Sequence, residues 1–364
     1  LVAWLNAGLL FFVTKNPAWY LLVYARILIK KLCASNHVEN GGSKTKFVLQ
    51  KLVIKRGCMK TNIGTKVFGF GILVLGLVSS AFAANRVGPV SAYGQLQAGK
   101  NSSGKGQIYG ACKGVADGAE VQVKGMSLYW SSGDAAATDY YSEAAIDNLV
   151  SSMNIQIVRF VMGISESWDN NRGYLSGGAD RQKTYLNTVV NAAVKNDIYV
   201  IIDWHVLQDQ DPNKYKEEAK KFFEEMATTY KDDPHVIYEI CNEPNGGTTW
   251  SMIKKYALEI IPVIRKHAPN AIIIVGTPTW SQDVDVAAKD PITEYDNIMY
   301  ALHFYAATHT SSLRNKCKTA VKMGLPIFVT EYGICEASGN GPINEKQANL
   351  WMEMLDGYGI SHVM

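Results

Sequence analysis

The chain has 364 residues, 47% of them apolar, and 36 Lys/Arg against 33 Asp/Glu give it a formal charge of +3. The basic excess lies wholly at the front: removing +8 for residues 1–58 and +2 for Lys60 and Lys66 leaves −7 for residues 84–364. The body is therefore acidic, and nothing in its charge points to nucleic acid or an anionic membrane as partner.

Residues 1–58 contain no methionine and carry nine Lys/Arg against the single acid Glu39. They read as translated upstream sequence, and their apolar stretches are broken by Lys15, Pro17 and Arg26, which weakens any membrane segment there. Met59 opens a different pattern: Lys60 and Lys66, the apolar run Val67 to Val78, then Ala81-Phe82-Ala83. A positive region, a hydrophobic core and an A-x-A cleavage site make residues 59–83 a signal peptide. The run is about a dozen residues, short of the roughly 20 that a bilayer span needs. A secreted protein, free of the membrane once the signal is cleaved, is expected.

Residues 84–118 are rich in Gly, Ser and Lys and read as an extended lead-in. From 119 to 364, apolar runs alternate with helical patterns. The runs are Val121–Leu128, Ile155–Val161, Ile198–Trp204, Val236–Cys241, Ala271–Val275, Ile298–Leu302 and Pro326–Thr330. Continuous apolar runs of this length are what strands buried on both faces look like. Seven such units with an eighth beginning predict an α/β fold of the closed (β/α)8 TIM-barrel type, the more so because no GxGxxG follows the first strand. The sequence stops at Met364, inside the expected eighth strand, so a truncated barrel with unpaired backbone on the two neighbouring strands is expected. Four cysteines fall in this body: Cys112, Cys241, Cys317 and Cys335. No CxxC metal pattern occurs among them; structural thiols and a Cys317–Cys335 bridge both remain open.

Polar residues recur at the ends of the strands, where barrels keep their reactive groups. They are Arg159 on the second, Asp203 and His205 on the third, Asn242 and Glu243 on the fourth, His303 and Tyr305 on the sixth and Glu331 on the seventh. A buried His or Tyr is by itself an ordinary satisfied core group; convergence on one mouth is the signal. Glu243 and Glu331 supply the acid and the carboxylate that glycosidic cleavage requires. Arg159 and Tyr305 can donate toward Glu331 and keep it ionised. Tyr129 and Trp130 after the first strand and Trp280 after the fifth offer rings for stacking on a sugar face. Trp204 alternates with Asp203 and His205 and is expected to face outward. Glu239 lies about 13 Å below Glu243, too deep to join the other carboxylates, and is assigned a buried network role. The histidines lack the i, i+4 spacing of a zinc helix, and no metal or cofactor is expected.

Asn242-Glu243-Pro244, His303-Phe304-Tyr305-Ala306 and Thr330-Glu331-Tyr332-Gly333, preceded by Ile201-Ile202-Asp203-Trp204-His205, together resemble glycoside hydrolase family 5, in its bacterial endoglucanase branch. The resemblance covers Val121 onward. It implies a monomeric, cofactor-free, retaining endo-β-1,4-glucanase acting on a β-glucan polysaccharide, with Glu243 as acid/base and Glu331 as nucleophile. It further implies that Asn242 bonds the sugar 2-hydroxyl or the nucleophile, and that His205 and His303 hold the carboxyl network. Three departures stand out: Tyr332 replaces the usual tryptophan, Gly163 occupies a common aromatic sugar contact for which Trp168 can substitute, and the strand-eight tryptophan is absent. A mannanase or xylanase on the same scaffold, and a non-catalytic glucan-binding fragment, are the alternatives. A metal-dependent barrel aldolase is disfavoured by the lack of a strand-end lysine and of a carboxylate–histidine cluster.

Overall fold

The computed structural model describes residues 87–110, 118–133 and 139–364; the upstream segment and the signal peptide lie outside them. Strands β4 (Lys124–Ser127), β5 (Ile157–Gly163), β6 (Tyr199–His205), β7 (Val236–Glu239), β8 (Ile273–Val275), β9 (Ile298–Tyr305), β10 (Ile327–Gly333) and β11 (His362–Val363) form a closed parallel barrel. The barrel type expected from the alternation of strands and helices is the one observed. Helices α2 (Glu143–Met153), α3 (Ala179–Lys195), α4 (Lys216–Thr229), α5 (Trp250–Arg265), α6 (Val284–Lys289), α7 (Ser311–Lys322) and α8 (Glu345–Tyr358) follow the strands. Side-chain caps set several of the starts: Ser142 accepts from Ala145 N, Thr249 from Met252 N and Asn344 from Gln347 N, each satisfying a backbone donor that the helix itself leaves open.

Two apolar layers follow from strand alternation. Outward residues such as Val158, Phe160, Val200, Ile202 and Trp204 pack beneath the helices. Trp204 is fully buried against Phe222 and Phe223 of α4, in the outward orientation that its parity predicts. Inward residues Ile157, Tyr199, Ile201, Ile237, Ile274, Met299 and Phe328 fill the lower bore.

Two expectations change. The lead-in is more than an extended stretch. A short helix α1 (Pro89–Tyr93) precedes an antiparallel pair, β1 (Leu96–Lys100) and β2 (Gly106–Gly110), with β3 (Ala119–Glu120) added alongside. Val90, Leu96 and Ile108 from this unit join the inward residues and plug the barrel's bottom. Their backbone sits so close that a Cβ on Gly106 would lie 2.0 Å from Leu325 O. The eighth strand, for its part, leaves no gap in the ring. His362 pairs with Val329 of β10 and with Lys124 of β4, and Val363 with Gly125. The flanking residues supply the remaining bonds, Val329 N to Ser361 O (3.0 Å) and Ser127 N to Met364 O (2.7 Å). Two residues close the barrel because their neighbours extend the ladder.

Among the described cysteines, Cys241 and Cys317 are buried and Cys335 is partly exposed, and all three are free thiols. The Cys317–Cys335 bridge is not formed. No described helix is long and apolar enough to cross a membrane.

Candidate active site

The strand ends open into a cleft of about 740 Å³ lined by Tyr129, Trp130, His205, Glu243, Trp280, His303, Tyr305 and Glu331 among others. Arg159 and Asn242, also singled out from the sequence, are buried beneath it. Arg159 reaches the cleft through Glu331, which lines it.

Arg159 is the hub of the floor. Its Nε donates to Glu239 Oε2 (2.7 Å), NH2 reaches Asp203 Oδ2 (2.9 Å) and Asn242 Oδ1 (2.7 Å), and NH1 reaches Glu331 Oε2 (3.1 Å). Three carboxylates around one buried guanidinium hold its proton more firmly still, against the burial that opposes charge. Asp203 in turn accepts from His205 Nδ1 (2.6 Å). Glu239 does not stand apart at its depth. Arg159 bridges it to Glu331, and Thr330 Oγ1 donates to its Oε1 (2.6 Å).

Glu331 reaches the mouth through an irregularity in β10. Phe328 pairs with Ala301 of β9 and Glu331 with His303, so β10 uses three residues where β9 uses two. Such a bulge re-aims side chains. Thr330 and Glu331, neighbours that a regular strand would send to opposite faces, both turn inward: Thr330 onto Glu239 and His303, Glu331 onto Arg159 and Tyr305.

Burial pushes the Glu331 carboxyl up, but the charges of His303, Arg159 and His205 and the hydrogen bond from Tyr305 Oη to Oε1 (2.7 Å) outweigh it and hold the group at about 2. Glu331 is a standing carboxylate. Burial, then the Glu331 charge, push the Tyr305 phenol upward, so it stays a donor.

Glu243 has a different partner. His303 Nδ1 lies 2.8 Å from Glu243 Oε1, and its Nε2 lies 2.8 Å from Thr330 Oγ1. Burial would drive this imidazole toward neutrality; the Glu239 carboxylate 3.9 Å from Nε2, the hydrogen bond to Glu243 and the Glu331 charge reverse that and raise it to about 9. Because Thr330 gives its one proton to Glu239, it must accept from His303 Nε2–H. One carboxylate oxygen of Glu243, one of Glu331 and a His303 nitrogen lie within 4.8 Å of one another, so the carboxylate–histidine cluster that the sequence was expected to lack is present.

Of the two parts expected of Asn242, the bond to the nucleophile is not made. The Asn242 Oδ1 is taken by Arg159, and Nδ2 donates to Val206 O (3.2 Å) and faces His205 Nε2 (3.3 Å), with no bond to Glu331. Trp130 stands edge-on to His205 at 4.3 Å and to Trp168 at 5.0 Å; Trp168 supports the Trp130 wall. Gly163 is fixed by space, since its Cβ would lie 2.0 Å from Ser132 Oγ. Tyr332 stacks on Phe304, which stacks on Trp351, so its ring belongs to the helix side. Sequence reasoning missed Thr330, Gln282, His309 and the Ala337–Asn340 segment that line or brace the cleft. Thr330 sits inside a quoted motif, and only the bulge gives it a part.

Comparison with known proteins bears on the family and the fold. The family model "Cellulase (glycosyl hydrolase family 5)" matches residues 115–364. Endoglucanase A of Butyrivibrio fibrisolvens is 44% identical over 265 residues, 72% of this chain and 59% of that one. An endoglucanase of Clostridium saccharobutylicum is 42% identical over 303 residues, 83% of this chain and 64% of its own. This chain thus spans about three fifths of the length of these relatives. Among solved structures, cellulase Cel5C_n superposes with a TM-score of 0.69 at 42% identity, covering 77% of this chain and 83% of its own. The catalytic domain of Thermobifida fusca endoglucanase Cel5A, in complex with cellotetraose, gives 0.66 at 33% identity, covering 76% and 86%. On the extent of the family match and the identity of these relatives, the chain belongs to glycosyl hydrolase family 5.

Proposed function

We propose that this protein is a secreted, monomeric endo-β-1,4-glucanase that hydrolyses cellulose or mixed-linkage β-glucan by double displacement. The observation that carries the reading is the asymmetric pair at the mouth. Glu331 is fixed as an anion by Arg159 and Tyr305, while Glu243 faces a histidine, with a carboxylate oxygen of each within 4.8 Å. That approach favours the roughly 5–5.5 Å carboxyl separation of retaining enzymes over the about 6.5–9.5 Å of inverting ones.

In the first step Glu331 attacks the anomeric carbon as Glu243 passes its proton to the leaving glycosidic oxygen, giving a glycosyl-enzyme ester and a shortened chain. In the second, Glu243 takes a proton from water, the hydroxide adds to the same carbon, and Glu331 leaves as a carboxylate. Arg159 and Tyr305 favour the charged form of Glu331, so they promote its departure and restrain its attack; a buried anion beside the oxocarbenium-like transition state compensates electrostatically. Trp130 and Trp280 line the cleft and supply the rings for stacking on sugar faces.

Reducing-end release from carboxymethylcellulose, with Glu331→Gln as control, tests the activity. Unchanged release in that variant overturns the assignment. NMR of the first-formed anomer separates retention from inversion, and a panel of mannan and xylan separates this enzyme from the other activities the scaffold supports.

A further inference from the structure

The segment that carries Trp280 has an unusual backbone. Thr279, Trp280 and Ser281 lie consecutively in the left-handed region, at φ of +58°, +55° and +53°. None is a glycine, and for ordinary residues this conformation is costly. Three in succession persist only where the surroundings over-determine them.

What determines them here is the backbone on both sides of Glu243. The Ser281 side chain is fully buried; its hydroxyl donates to Asn242 O (2.6 Å) and accepts from Thr277 N (3.2 Å). Trp280 N donates to Pro244 O (3.1 Å). Gly276, which leads into the turn, is packed so tightly on the same segment that a Cβ would lie 2.5 Å from Cys241 O and 3.0 Å from Asn242 O. The Trp280 ring, meanwhile, stays 45% exposed in the cleft. Trp130 and Trp280 follow the first and fifth strands of an eight-strand ring, so they stand across the mouth from one another, with Trp280 on the Glu243 side. Glu243 delivers its proton to the departing sugar.

We infer that Ser281 is a positioning residue: its buried hydroxyl locks the left-handed turn to the Asn242–Pro244 backbone, so that Trp280 and Glu243 meet the leaving-group sugar as one rigid unit. This rests on the glucanase reading above. It adds a device by which the sugar platform and the proton donor keep register.

The test compares two substrates in wild type, Ser281→Ala and the double variant Ser281→Ala with Thr279→Gly. Cellopentaose has a sugar leaving group that needs both platform and proton; 2,4-dinitrophenyl β-cellobioside has one that needs neither. Ser281→Ala is expected to lower kcat/KM on cellopentaose by about 10- to 100-fold, with the dinitrophenyl substrate changed by less than about threefold. The added glycine, which adopts left-handed backbone freely, is expected to restore the melting temperature but not cellopentaose turnover. Recovery of turnover together with stability would mean that Ser281 serves folding alone, and would overturn the inference. So would an equal loss on both substrates, or no loss, in a folded variant. A wild type inert toward both substrates overturns the glucanase reading itself, and the inference with it.

Discussion

The two ends of the barrel are built from opposite materials. At the bottom, Val90, Leu96 and Ile108 meet Ile157, Ile201 and Phe328 in a wholly apolar plug, with backbone pressed on backbone at Gly106. At the mouth, Arg159 sits amid Asp203, Glu239 and Glu331, all linked to histidines, a tyrosine and a threonine. The bottom gains from removing hydrocarbon from water. The mouth holds desolvated charges that are tolerated because each is paired. Stability and reactivity are thus drawn from different ends, and substitutions at each end should report on different observables.

The largest effect is expected from Glu331→Gln, which removes the attacking carboxylate and should reduce kcat/KM on carboxymethylcellulose at least about 10³-fold, with little change in melting temperature. Arg159→Met crosses the divide. It leaves Glu239 and Asp203 buried without their cation, so it should cost about 3–5 kcal/mol of stability as well as activity, read by denaturant unfolding. A stable, folded Arg159→Met protein would break the claim that the mouth's charges are held only by pairing. Ile108→Ala is the converse: about 2–5 kcal/mol lost from the plug, with kcat per folded molecule unchanged.

Smaller effects sharpen the electrostatics. His303 is raised to about 9 from an ordinary 6.5, so its contribution to stability is complete below pH 6.5 and is lost as pH rises through 9. Melting temperature measured from pH 6 to 10 should fall across that window, and His303→Asn should flatten the fall. Tyr305→Phe removes a donor to Glu331, so the Glu331 pKa should rise and the acidic limb of kcat/KM move to higher pH by up to about one unit. A limb unmoved, or moved downward, would detach Tyr305 from the nucleophile.

Much of the barrel was legible because parallel strands buried on both faces leave unbroken apolar runs, and Ile155–Val161 or Ile198–Trp204 admit few other readings. The convergence of Arg159, Asn242 and Glu243 followed from strand ends, and Glu331 was expected beside them although a bulge is what delivers it. The plug was not legible. In a Gly-, Ser- and Lys-rich stretch, Leu96 and Ile108 are single apolar residues with no period to betray the face they bury. The bulge in β10 was equally silent, since Phe328-Val329-Thr330-Glu331 reads the same whether or not one residue steps out of register. Nor do Thr279 and Trp280 announce positive φ, a conformation that sequence suggests only through Gly, Asn or Asp. Local patterns reveal what repeats along the chain, and each of these features is a single departure imposed by distant partners.

The plug also has a kinetic consequence. Gln107 of β2 donates to Tyr358 O, 251 residues away, and Gln122 to Ile360 O, 238 residues away (2.9 Å), while Gly106 is pressed on the turn that precedes β10. Contacts of such sequence separation slow folding, because loop entropy is lost before they form. During synthesis the α1–β2 segment emerges before any barrel strand exists, and its apolar side chains must wait in water for both ends of the ring. The base of the enzyme is made before the ring it closes and is among the last parts that can be seated.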